Sequence, residues 1–213
     1  MVRDCSHPLG SSTQVYPGDP PVEASSHATH DEDGYRVTHL SLGTHSGTHV
    51  DAPSHTEPDG RTLDDFPVDA FAFDARLVDC TDCGPRDAIE RAALPETDAE
   101  MLVLRTGWAD RWGTDAYLDH PYLAPAAAAW CAERGYHVAL DALSVDPTPT
   151  PNAAPGEPDG VPAHHELLGA DRLVVENLTN LAGLPGRFTL RAYPLPVAAA
   201  DGAPVRAVVE DAE

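Results

Sequence analysis

A length of 213 residues and a hydrophobic share of 42% suit one domain with a real core, which excludes wholesale disorder. Thirty-five acidic residues face 13 basic ones, every one of them arginine, for a formal charge of −22. Nucleic-acid binding, which needs clustered cations against phosphate, is thereby excluded. No run approaches the roughly 18 apolar residues of a membrane span, and no apolar signal segment follows residues 1–5. The chain is expected in the cytoplasm, without nucleic-acid or membrane partners.

So acidic a surface repels itself in dilute buffer, whereas in molar salt the Debye length shrinks to roughly 3 Å. The composition points either to a halophilic host with a salty cytoplasm or to an ordinary acidic protein from a GC-rich genome. The dependence of Tm on KCl separates the two.

In chain order, residues 1–34 are rich in Pro, Ser, His and Asp and read as loops around one short strand at 14–16. Residues 35–42 (YRVTHLSL) partly alternate and carry β-branched side chains, predicting a strand. A histidine-rich segment follows directly. Residues 76–80 predict a strand, 87–93 a short helix, and 100–105 (EMLVLR) a buried strand closed by Thr106-Gly107. Cys80 and Cys83 form a lone C-x-x-C with no second pair for zinc. Asp79 and Asp82 beside it disfavour a reactive thiolate, so both thiols read as structurally incidental.

The clearest helix is 124–134 (APAAAAWCAER), with Pro125 at its start and Gly135 as its stop. Residues 136–140 read as a strand, and 146–159 as a loop holding five prolines, long enough to be a functional lid or rim. A short helix at 163–168 precedes an apolar strand at 172–176. Strands at 187–192 and 205–209 flank a turn at Asp201-Gly202. The pattern predicts a single strand-rich domain over 1–213, α/β or α+β, with a few helices packed outside.

Residues 45–55 read His-Ser-Gly-Thr-His-Val-Asp-Ala-Pro-Ser-His. His45, His49, Asp51 and His55 all fall at odd positions, on one face of an extended chain. Fully extended, the segment would reach roughly 33 Å, too far for one metal. It must bend, and Gly47 and Pro53 are the residues to bend it. A helix is disfavoured by Gly47, Thr48, Val50 and Pro53, so a strand that kinks into a loop is predicted. Imidazoles with a carboxylate and no thiolate suit catalytic Zn²⁺ or Mn²⁺. A spare histidine, titrating near neutrality, could move protons.

This run resembles the H-x-G-T-H-x-D-x-P-x-H signature of the cyclase family, which includes bacterial kynurenine formamidases and isatin hydrolases. Val15-Tyr-Pro-Gly-Asp-Pro20, Leu104-Arg-Thr-Gly107, Leu143-Ser-Val-Asp146, Ala163-His-His165 and Val175-Glu-Asn177 follow in the family's order. The resemblance implies the family's swivelling β/β/α fold and two metal ions per subunit. His45, His49 and Asp51 would hold one ion, Asp51 would bridge to a second held by His164 and Glu176, and Glu176 would bridge as well. His55 would stay off the metals as the proton carrier. It implies a homodimer or larger homo-oligomer as well. Tyr16 stands where the formamidases commonly carry a substrate-contacting Trp, which leaves the choice of ring open.

Three functions follow. The first is an arylformamidase-like amidohydrolase acting on N-formylkynurenine in tryptophan breakdown, by analogy with the family. The second is the same site applied to another cyclic or aryl amide, lactam or ester. The third is a non-catalytic metal-binding protein that retains the motif.

Overall fold

Apolar side chains alternate between two faces along the strands of the computed structural model, which describes residues 2–211. In chain order the elements begin with β1 (Val2–Asp4), β2 (Glu23–Ala28), α1 (His30–Asp33), β3 (Val37–Ser41), β4 (His49–Asp51), β5 (Ala72–Asp79), β6 (Ala88–Ile89) and β7 (Met101–Arg105). They continue with β8 (Tyr122–Leu123), α2 (Pro125–Arg134), β9 (His137–Leu140), α3 (Pro162–Leu168), β10 (Val174–Glu176), β11 (Arg187–Pro194) and β12 (Gly202–Asp211). Strands dominate and the helices lie outside the sheet, as the pattern of the sequence predicts.

Seven strands pair in the order β12-β11-β5-β7-β9-β10-β4 and return to β12, closing the sheet into a barrel. The run β5-β7-β9-β10 is parallel and the remaining pairings are antiparallel. One edge of β12 lies along β11; the other takes β4 at residues 202–204 and β1 at residues 208–210. All seven strands send side chains to an inner core that includes Val50, Phe73, Met101, Val103, Ala139, Val175, Leu190 and Ala203. The opposite faces of β7, β9 and β10 carry Leu102, Leu104, Val138, Leu140 and Val174 to a second core under α2 and α3. Each large aliphatic side chain so buried contributes roughly 1.5–3 kcal/mol, which fixes the register of the strands.

The predicted strand at 14–16 is a loop: Gln14 accepts from the Gly113 amide and donates to the Thr114 carbonyl, and no strand lies beside it. The predicted helix at 87–93 is also corrected. Ala88 and Ile89 pair with Tyr122 and Leu123 as a short parallel ladder, and only a 3₁₀ turn at Arg91–Ala93 remains helical. Tertiary pairing overrides local propensity there. β3 forms as expected, but its partner β2 was hidden by serines and a histidine of low strand propensity. Cys5, Cys80, Cys83 and Cys131 are all free. Burial pushes the Cys80 and Cys131 thiols up to about 12, so neither is reactive at neutral pH.

Candidate active site

In β4, Val50 points into the barrel, so His49 and Asp51 must point out of it. In β10, Val175 points in and Glu176 points out by the same rule. The antiparallel register sets Glu176 opposite His49 and Val174 opposite Asp51. Three polar side chains thus meet on the outer face of two paired strands, at the carboxyl end of parallel β10. α3 packs over this face and supplies His164.

Asp51, fully buried, lies at the centre. Its Oδ1 is 2.7 Å from His45 Nδ1 and 3.2 Å from His49 Nε2, and its Oδ2 is 3.6 Å from His164 Nε2. Glu176 reaches both sides, with Oε2 3.4 Å from His49 Nε2 and Oε1 3.3 Å from His164 Nε2. Two ligand-like groups, His45–His49–Asp51 and Asp51–His164–Glu176, share Asp51, and His45, His55 and Asp201 form a third beside them.

Outer bonds fix which nitrogen faces the centre. His49 Nδ1 donates to the Gly47 carbonyl at 2.7 Å, leaving Nε2 inward. That carbonyl also accepts from Asn177 Nδ2 at 3.0 Å, and Asn177 accepts from the Tyr117 hydroxyl at 2.7 Å. Gly47 adopts φ +65°, so the bend expected at this glycine is a left-handed one, and a Cβ there would strike Leu9. His164 Nδ1 is held by Asp146 Oδ2 at 2.8 Å, again leaving Nε2 inward. The same carboxylate accepts from the Ala163 and His164 amides, so Asp146 aims both the side chain and its helix. Carboxylates and carbonyls of this kind orient ligating imidazoles in metal sites.

Pro53 opens a 3₁₀ turn that ends at His55, the second predicted bend. His55 stands apart from the ligand groups centred on Asp51: its ring lies 3.9 Å from that of His45, and its side chain is 31% exposed. Burial lowers its pKa and the Asp51 charge only partly opposes this, so the ring is neutral near pH 7. For His45 burial also opposes the charged form, but bonds to Asp201 and Asp51 prevail and raise it to about 9. His49 is raised to about 10, burial being outweighed by the charge and hydrogen bond of Asp51 and the bond to Glu176. Without a cation, protons bind the cluster together.

Asp51 Oδ2 is buried and has no hydrogen-bond partner among the described residues. A bare carboxylate oxygen in the interior is costly, and a cation set between it and the imidazoles removes that cost. The donor set and this orphaned atom both fit a divalent metal.

Every predicted site residue meets in one place. His45, His49, His55, His164, Glu176 and Tyr16 line a cavity of about 310 Å³, with Asp51 packed beneath. Asp146 and Asp201 were not identified from sequence. Asp201, which sequence reading takes only as a turn residue, accepts from His45 Nε2 at 3.0 Å and lies 3.6 Å from His55 Nδ1. Gly202 beside it leaves room for the His45 ring, since a Cβ would sit 2.6 Å from Cε1. His165, the neighbour of His164, turns outward to Glu57.

The sequence model of the cyclase family matches residues 3–147. The kynurenine formamidase of Salinibacter ruber is 36% identical over 217 residues, spanning 98% of this chain and 97% of that protein. The kynurenine formamidase of Bordetella avium is 31% identical, spanning 98% and 97%. Among solved structures, an isatin hydrolase bound to the product analogue thioisatinate superposes with a TM-score of 0.86 at 26% identity, covering 98% of this chain and 91% of that one. By sequence, fold and motif alike, the chain belongs to the cyclase family.

Proposed function

We propose that the chain is a metal-dependent amidohydrolase that cleaves an aryl formamide, N-formylkynurenine first of all, to the aryl amine and formate. The observation that carries this reading is the buried Asp51 carboxylate at the base of a cavity, shared by two ligand groups and with its Oδ2 lacking a hydrogen bond among the described residues. Similarity to kynurenine formamidases along 98% of the chain supports the choice of substrate. His45, His49 and Asp51 would hold one zinc or manganese ion, and Asp51, His164 and Glu176 a second. Bound there, such ions acidify water and polarise a carbonyl oxygen.

The chain's own residues do the rest. His55 is neutral and faces the cavity, so its ring takes the proton of the attacking water. A C–O bond forms at the formyl carbon, the C–N bond breaks, and His55 returns the proton to the departing nitrogen. Tyr16 offers a ring for the aryl group to stack on.

Purified protein loaded with zinc or manganese should hydrolyse N-formylkynurenine. Turnover of isatin with none of N-formylkynurenine would replace this reading by a lactam-opening one, which the isatin hydrolase neighbour favours. The same reading places the enzyme in tryptophan breakdown, in the cytoplasm, as a homodimer or larger assembly. Light scattering checks the assembly, and a monomer at every salt concentration would remove that part.

A further inference from the structure

We propose that Arg86 is a positioning residue, which sets one wall of the substrate cavity by clamping the tip of the proline-rich loop 147–161. The loop contains no helix or strand. Its base is knotted at the site, where Asp146 accepts from the Ala163 and His164 amides at 2.8 and 3.0 Å. Val161, its last residue, lines the cavity. Val161 is tied to α3, its carbonyl accepting from the His165 amide at 3.1 Å, whereas residues 151–156 between the two arms of the loop are exposed.

The restraint comes from a different part of the chain. The Arg86 side chain is 8% exposed and bonds in five directions. Nε donates to Glu157 Oε1 at 2.8 Å, and a second nitrogen donates to Glu157 Oε2, a two-pronged grip on the loop. The third nitrogen donates to the Thr148 carbonyl at 3.0 Å, to Thr150 Oγ1 at 3.2 Å and to Asp119 Oδ1 at 3.3 Å. Asp119 extends the clamp by accepting from Thr150 Oγ1 and Asn152 Nδ2 at 2.8 and 2.6 Å. His120, its neighbour, meets Thr148 Oγ1 at 2.8 Å. Both arms of the loop are thus gathered onto one guanidinium.

Arg86 itself sits at φ +60°, a conformation rare for a residue with a side chain, and its amide is bonded to the Asp119 carbonyl. No atom of Arg86 lines the cavity, so it acts through the loop. With the base knotted by Asp146 and the tip held by Arg86, the cavity wall at Val161 is preset before substrate arrives. Losing the tip should weaken substrate binding while the metal ligands, held by the base, stay in place.

The test compares Arg86→Gln and Arg86→Lys with the wild type; its kinetic arm rests on the amidohydrolase reading, its protease arm does not. With proteinase K, Arg86→Gln should be cut at Asn152, Ala153 or Ala154 about tenfold faster. With N-formylkynurenine its KM should rise about tenfold while kcat stays within about twofold. Metal content should equal that of the wild type. Arg86→Lys, which keeps the charge but loses the fork, should fall between the two. Wild-type cleavage together with wild-type KM in Arg86→Gln would overturn the proposal, as would a loss of kcat at unchanged KM. Should Arg86→Gln not fold, Glu157→Gln removes one partner of the grip and is read the same way. If the wild type turns over no amide, the protease arm decides alone: unchanged cleavage overturns the clamp.

Discussion

Two charge clusters, one half-buried around Arg86 and one buried around Asp51, are built to opposite rules. Around Arg86 each of the three guanidinium nitrogens meets an acceptor supplied by the chain itself. Around Asp51, three imidazoles and two carboxylates converge, yet one buried oxygen is left without a hydrogen-bond partner among the described residues. Burying charge is expensive in both places. The saturated cluster is complete without any other component and serves to hold a loop; the unsaturated one is complete only with something the chain does not encode.

The largest effect should come from Asp51, because it belongs to both ligand groups. Asp51→Asn is expected to lose metal from both positions and roughly a thousandfold or more in kcat/KM, as the ions' stabilisation of charge disappears. Elemental analysis beside kinetics checks this, and full metal content in the variant would break the contrast between the clusters. Next, His55→Ala should lower kcat about 10²- to 10⁴-fold with metal retained, since only proton transfer is removed. Unimpaired turnover in that variant would make His55 a bystander, and loss of metal would make it a ligand.

On the saturated side, Arg86→Met should leave metal content untouched but cost about 1.5–3 kcal/mol in a denaturant titration, the scale of losing hydrogen bonds to charged groups. A change below measurement error would mean that the loop holds without its clamp.

The pH response should also separate metal-free from metal-loaded protein. His45 and His49, at about 9 and about 10 in the fold against 6.5 for an ordinary imidazole, bind protons more tightly folded than unfolded. Their contribution is complete below pH 6.5 and is lost as the pH climbs through 9 to 10. Tm of chelator-treated protein should therefore fall across that window, whereas cations replace the protons in loaded protein and flatten the curve. Metal binding at pH 7.5 should release protons, measurable by calorimetry in buffers of differing ionisation heat. Equal heats in all buffers would contradict protonated His45 and His49. The smallest effect is global: if the charge of −22 reflects salt adaptation, Tm rises by a few degrees from about 0.1 to about 2 M KCl. A flat or falling curve favours the GC-rich alternative.

How much of the site could be read in advance depended on distance along the chain. His45, His49, Asp51 and His55 lie within eleven residues, and their spacing already demanded a bend at Gly47 and Pro53. Glu176 and His164 needed family resemblance, because the ladder that brings Glu176 opposite His49 joins strands more than 120 residues apart. Asp201 and Asp146 stood in a turn and in a family segment, with no role at the site read for either. An aspartate before glycine looks like any turn, and nothing local reveals that β12 runs beside β4. Strands β7, β9 and β10 were legible because their apolar runs answer to burial on both faces, and β11 because its side chains alternate between one buried face and one more exposed. The short β6–β8 ladder was not, since two residues carry no period.

β12 joins β4 to β11 and carries Asp201 at its threshold, and it follows every other strand in chain order. During synthesis the ring therefore stays open until β12 has left the ribosome, whatever has already condensed before it. The nascent chain thus presents its histidines on an unsealed sheet with an exposed edge on β4, and the wait ends only when the final strand docks.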